Sequence, residues 1–304
     1  MGHVKYLCLL LFMTILPLTV ACQQTAMDKR PSIVVTYSIL GSIVQELVGD
    51  RATVNVSIPN GLDLHEWEPS ARDIEKINRA SLVICNGLNL EGGMDKCLES
   101  AQKKGVRIFT ASDHIQVRHV GKGEGIHSGD PDQEEGASDP HLWTDPLAMK
   151  AVVSALVPVL KEELNIDSTM EARGLEARLD ELDQQVAETL SSIAPENRKL
   201  ATGHESMGYF TDRYGFKLVG VIIPALTSQA NVSAADLSSL KKAIRDNRLK
   251  TIFTEQGTSA SVAEAIANET GVKVVELNTH KLPGDGSYFT FLKDMAGTIT
   301  NALR

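Results

Sequence analysis

Short β-branched runs alternate with amphipathic helical stretches along nearly all of this chain, and one long, unbroken helical pattern divides the alternation in two. Ile33, Val34 and Val35 form the first β run, after which Leu40, Ile43, Val44, Leu47 and Val48 recur at helical spacing. A strand is then predicted over 53–58, a helix carrying Ile74 and Ile77, a strand over 82–85, a helix over 94–102 and a strand over 106–110. Ser70 opens the helix at Ile74, and Asp73 three residues later comes close to a capping box. Successive β/α units of this kind imply parallel strands with helices on both faces, so the expected fold class is α/β with mainly parallel sheets.

The dividing pattern is helical over 168–193, with Leu175, Leu179, Leu182, Val186 and Leu190 on one face and charged residues elsewhere. No Gly or Pro falls between Leu175 and Ile193, so a rod of roughly 30 Å or more is expected, well placed to join two domains. Another helix precedes it over 146–163, with Pro158 as a point of kinking. Beyond Pro195 the β/α pattern restarts, with strands over 199–201, 218–223, 251–253 and 272–276 and helices over 234–245 and 259–270. The expected division is an N-terminal β/α domain over 32–165, a linking helix over 166–194 and a C-terminal β/α domain over 195–304. About 280 residues beyond the leader exceed one domain of ~150 and fit two.

That leader has Lys5, then an apolar run over 6–20 broken only by Thr14, Pro17 and Thr19. Roughly 15 apolar residues fall short of the ~20 needed to span a bilayer, so 1–21 reads as a signal peptide. Cys22 directly after Ala21 is similar to a bacterial lipobox. Cleavage before Cys22, a diacylglycerol anchor on its sulfur and a polar tether over 22–31 are expected, which makes the protein exported, held at the cell membrane by its lipid or in the periplasm. Lys plus Arg number 30 against 39 Asp plus Glu, and this acidic balance excludes a nucleic-acid partner. Cys85 and Cys97 either pair or remain two thiols; without a CxxC cluster they do not make a thiolate metal site.

Chemistry concentrates in three polar, turn-rich stretches: Asp63-Leu64-His65-Glu66-Trp67-Glu68-Pro69, Asp139-Pro140-His141-Leu142-Trp143 and Thr202-Gly203-His204-Glu205-Ser206. Each histidine alone is weak, since a lone loop imidazole is ordinarily solvated, but three of them can close on one metal. Neutral imidazole suits zinc or copper and serves magnesium, calcium and manganese poorly. The segment 112–139 lacks apolar periodicity and carries His114, His119 and His127 with Asp130, Asp132, Glu134 and Glu135. It reads as a mobile loop, either a loose metal trap or a solvated acidic stretch. A metal hydrolase is disfavoured: His204-Glu205 begins like HExxH, but Gly208 stands where the second histidine is required, and no Gly-x-Ser-x-Gly elbow is present.

These stretches resemble the zinc- and manganese-binding solute-binding lipoproteins of bacterial ABC importers, nearly end to end. His65-Glu66-Trp67-Glu68-Pro69-Ser70 with Asp73 is similar to the family's first ligand motif, with Leu64 in place of the usual proline. Asn86-Gly87 with Glu91, Met94, Asp95 and Lys96 resembles its next block, with Gly93 where tryptophan is common. Asp139-Pro140-His141 with Trp143 resembles the second ligand motif, and His204 with Tyr209-Phe210 and Tyr214-Gly215 the third. Ser228, Ser233, Asp236 and Leu237, then Ile252-Phe253-Thr254-Glu255, follow its C-terminal domain.

The resemblance implies two β/α domains joined by a rigid helix, with metal in the cleft between them, and a monomer serving an ABC permease and its ATPase. It implies His65, His141 and His204 as ligands, and histidine at the third position goes with Zn2+ rather than Mn2+ in that family. The usual fourth ligand, an aspartate, is replaced by Asn278, leaving water or His280 first and Glu276 next, with Asp285 nearby. Glu255 either orients a ligating imidazole or caps a helix. A manganese receptor, and a surface metal chaperone or adhesin on the same fold, are the alternative functions.

Overall fold

The computed structural model describes residues 30–121, 124 and 135–304. The expected signal peptide, Cys22 and most of the tether, with His127, Asp130, Asp132 and Glu134, lie outside the described residues. In the first half, β1 (Ser32–Tyr37), β2 (Thr53–Ile58), β3 (Leu82–Cys85) and β4 (Ile108–Thr110) form a parallel sheet in the order β2-β1-β3-β4. Ile33 pairs with Val54 on one side and Leu82 on the other, so the two central strands are apolar on both faces and buried. The connections are α1 (Ser38–Val48), α2 (Ala71–Asn78) and α3 (Asp95–Lys103). Ser70 and Asp73 close a full capping box at the start of α2, each accepting the other's backbone N–H.

Two helices follow, α4 (Pro146–Leu164) and α5 (Thr169–Ser191). Asp145 caps α4 by accepting the Leu147 N–H, Pro146 occupies its first position, and the helix continues through Pro158. In the second half, β5 (Lys199–Thr202) pairs in parallel with β6 (Lys217–Val221), and β7 (Thr251–Thr254) with β8 (Lys273–Glu276). β5 lies beside β7, and the two pairs form separate two-stranded sheets. Helices α6 (Gly208–Tyr214), α7 (Ala234–Asn247) and α8 (Ala260–Thr270) connect these strands, and α9 (Tyr288–Leu303) ends the chain. Among the described residues no helix is long and apolar enough to cross a membrane.

The predicted apolar face of α5 is buried, and the helix packs against α1, α4 and α9. A single apolar core therefore runs from Ile33 and Leu40 through Leu179 to Phe210, Phe253 and Leu292, with a smaller one at Ile222, Ile244, Ile252 and Ile266. The structure departs from the sequence reading in two places. First, α9 stands where the sequence reading places no element, although Tyr288, Phe291, Leu292, Met295 and Ile299 recur at helical spacing and are buried in it. Second, the segment 112–139 is tied at its ends: Val120 N–H donates to Ala137 O, Gly136 N–H to Val120 O and Asp139 N–H to Arg118 O, each at 2.9 Å. These bonds satisfy the backbone where no apolar period announces structure. Cys85 and Cys97 are buried free thiols, in hydrogen-bond contact with Phe109 O and Met94 O respectively.

Because α5 is shared by both halves, truncating it weakens them together. Leu179 is fully buried, so Leu179→Ala is expected to cost about 2–5 kcal/mol. Urea unfolding followed by circular dichroism is expected to show one transition at lower denaturant. Loss of structure from only one half, as a separate early transition, contradicts the shared core.

Candidate metal centre

In sheets of this topology, loops leaving the carboxyl ends of the strands converge on one edge. His65 follows β2, His141 follows the segment after β4, His204 follows β5 and His280 follows β8. One candidate ligand atom from each of the four lies within 4.8 Å of the others, and all four residues are buried. His141 Nε2 stands 3.3 Å from His65 Nε2 and 3.3 Å from His204 Nε2. Tetrahedral zinc with Zn–N bonds of about 2.0–2.1 Å separates its ligand atoms by roughly 3.3–3.4 Å.

Local chemistry aims each ring. Asp63 Oδ1 accepts the His65 N–H at 2.9 Å, and Asp139 Oδ1 accepts the His141 N–H at 2.9 Å, the same Asp-x-His turn used twice. Asp139 Oδ1 also lies 2.8 Å from His141 Nδ1, which places the ring proton there and leaves Nε2 as a lone pair. Thr279 Oγ1 donates to Glu255 Oε2 at 2.8 Å, so toward His280 Nδ1, 2.6 Å away, it acts as acceptor. His280 Nδ1 therefore carries the proton, and its Nε2, buried and without a hydrogen-bond partner, faces the cluster as a lone pair. Trp143 Nε1 donates to Thr279 O at 2.8 Å and holds that loop, its ring packed against both His141 and His280.

Glu255, at the end of β7, accepts from Gly203 N–H at 2.9 Å and from Ser206 Oγ, and its Oε2 lies 3.5 Å from His204 Nδ1. Its partners are the loop of His204 and Thr279 rather than a helix end; Ser259 occupies the N-cap position of α8. Gly203 is required for this approach, since a Cβ there would sit 2.3 Å from Thr258 Oγ1 and 3.0 Å from Glu255 Cβ. Burial, followed by the neighbouring imidazoles, holds His65 and His204 well below the ordinary imidazole range, and burial with His141 lowers His280 to about 3. Such rings are neutral and coordination-ready at physiological pH. Glu205, fully buried, has neither carboxylate oxygen hydrogen-bonded, and burial pushes its pKa well up.

The remaining sequence candidates are elsewhere. Glu276 is exposed at the end of β8, paired in register with Thr254. Asn278 is exposed too: its Nδ2 donates to Lys281 O and its Oδ1 accepts the Lys281 N–H, so the amide closes a turn that presents His280, two residues on. Asp285 accepts from Ser287 N–H and Thr290 Oγ1 ahead of α9. His114 is exposed and stacked on Phe109, and exposed His119 lies near Gly136 O. Sequence reasoning missed Asp139, Thr279 and Ser206 as supports for the rings. The Asp two residues before both His65 and His141 was the available signal for the first.

The zinc-binding lipoprotein AdcA of Streptococcus pneumoniae is 31% identical over 268 residues, covering 85% of this chain and 52% of that protein. This chain thus spans about half the length of that curated relative. The iron ABC transporter substrate-binding lipoprotein MtsA of Streptococcus pyogenes is 27% identical, covering 94% of each chain. The solved periplasmic zinc-binding protein TroA of Treponema pallidum superposes with a TM-score of 0.77 at 25% identity, over 90% of this chain and 99% of that one. TroA shares the fold. Residues 33–302 match the family described as ZnuA, zinc-uptake complex component A, periplasmic, and the chain belongs to that family.

Proposed function

We propose that this chain captures Zn2+ outside the cytoplasmic membrane and delivers it to the permease and ATPase of an ABC importer, with His65, His141, His204 and His280 as the four ligands. It is a binding component and not an enzyme. The observation that carries the reading is the buried set of four imidazoles whose ligand atoms lie within 4.8 Å of one another, with His141 Nε2 3.3 Å from those of His65 and His204. Four neutral nitrogens suit zinc, and the absence of a carboxylate from that group, among the described residues, disfavours Mn2+. The carboxylates of Asp139 and Glu255, one hydrogen bond or ion-pair distance further out, are placed to offset the ion's charge and fix two of the rings. Relatives named for zinc and for iron sit in one family, so the donor set rather than the family name supports the choice of metal.

In this reading zinc bridges loops from both halves and orders them for the permease. The shared core along α5 supports a small adjustment of loops rather than a wide hinge opening. A lipid on Cys22, which lies outside the described residues, would tether a monomer to the membrane.

In competitive titrations of the chain lacking residues 1–22, one Zn2+ per chain is expected to bind far more tightly than Mn2+. His204→Ala and His280→Ala are each expected to weaken zinc by more than the roughly 10–100-fold that losing an orienting partner costs, and Glu255→Gln by an amount in that range. Glu276→Ala is expected to leave it unchanged; a large loss there returns that side chain to the ligand set.

The depressed imidazoles also set a pH dependence. A free histidine near 6.5 would let protons compete with zinc from that value downward. His65, His204 and His280 stay neutral further down, so these three rings are expected to cost zinc no affinity between pH 7 and about 5.5. The metal-free fold behaves oppositely. Its unfolded state takes up the protons first, so stability is fully present above about 6.5 and is lost as pH falls below it toward the folded value, about 3 for His280. Calorimetric titration and thermal melts across that window check both; a loss of more than tenfold in affinity per pH unit below 6.5 contradicts the three buried neutral rings.

A further inference from the structure

Arg118 is outside the histidine pocket, yet it is the only buried arginine or lysine among the described residues. Its guanidinium is divided among three carboxylates. Nε donates to Asp212 Oδ2 at 2.8 Å, Nη1 to Asp139 Oδ2 at 3.2 Å and Nη2 to both oxygens of Glu124 at 2.6 Å. Its backbone N–H donates to the Tyr209 hydroxyl at 3.0 Å, and its carbonyl accepts the Asp139 N–H at 2.9 Å. Tyr209 and Asp212 belong to α6, the helix that leaves the His204 loop. Asp139 thus has one oxygen on Arg118 and the other on His141, and its side chain is fully buried.

The fit is close. A Cβ added to Gly208, the first residue of α6, would lie 2.3 Å from both Arg118 Nη1 and Asp139 Oδ2, so the helix is seated directly on the ion pair. A planar guanidinium fixes the plane of the carboxylate it binds, which a point charge does not. Without it, Asp139 Oδ2 has no partner in the interior, and Oδ1 loses its fixed bearing on His141 Nδ1.

We propose that Arg118 is a positioning residue for the metal centre: through Asp139 it sets the orientation and tautomer of His141, and through Asp212 and Tyr209 it keeps that ring in register with the loop carrying His204. The proposal rests on the reading of the four histidines as ligands. Arg118 would then help decide how long the metal stays, although it never touches it.

The test is a double-mutant cycle on zinc affinity with Arg118→Met, Asp139→Asn and both, alongside visible spectra of the Co2+-loaded proteins. Asp139→Asn is expected to weaken zinc by about 10–100-fold and Arg118→Met by about tenfold. The double variant is expected to match Asp139→Asn within about twofold, because the two residues act in series. The Co2+ ligand-field bands are expected to move in Arg118→Met, which a purely structural role would not cause. Losses that multiply, or an Arg118→Met protein with a lowered melting temperature but unchanged affinity and spectrum, overturn the proposal. If Arg118→Met does not fold, the cycle is run with Arg118→Lys, which keeps the charge without the fork, with the same outcomes deciding. His141→Ala separates the two levels. Tight zinc binding in that variant overturns the ligand reading and this proposal with it, whereas loss there with no loss in the Arg118 variants overturns the proposal alone.

Discussion

Four imidazole nitrogens converge on one point inside the protein, three of them linked at 3.3 Å, and they do so where water cannot separate them. Lone pairs at that spacing repel, and protonating the rings instead would bring several positive charges together in a dry pocket. Burial and mutual repulsion therefore hold His65, His204 and His280 neutral, which is the state a divalent cation requires. A cation at the centre relieves both penalties at once. The remaining architecture can be understood as what keeps such a set together in its absence.

Two kinds of restraint do this. Hydrogen bonds set ring orientation for two of the rings, Asp139 for His141 and Thr279 for His280, while the Glu255 carboxylate, held by Gly203, Ser206 and Thr279, lies 3.5 Å from His204 Nδ1. Cross-half contacts set the distance between loops. Ser228 donates to Asp63, Gln229 to the His65 carbonyl, Gln256 to the Gly61 carbonyl and Trp143 to the Thr279 carbonyl. Below them α5 and α9 join the two halves into one apolar core, so the halves cannot drift apart without exposing it.

Much of this was legible in the residues. Parallel β/α units follow directly from short β-branched runs alternating with apolar spacing of period 3.6, and Ser70 with Asp73 announces α2. His65, His141 and His204 stand out because each sits in a polar, turn-rich stretch. The fourth position was harder, because β8 is followed by several polar residues with equal chemical claims. Only the turn closed by Asn278 on Lys281 decides that Glu276 and Asn278 face solvent while His280 points inward. Arg118 was invisible for a related reason: it lies in a stretch without apolar period, and its role depends on Asp212, remote in sequence. The unassigned α9 was a simpler miss, since its apolar spacing is plain.

The coordination sphere itself is the most direct test. X-ray absorption at the zinc edge of the metal-loaded protein is expected to give four nitrogen neighbours at roughly 2.0–2.1 Å with the multiple-scattering pattern of four imidazoles. A sphere containing carboxylate or water oxygen, or fewer than four imidazoles, contradicts the account and places the metal on a different set of side chains.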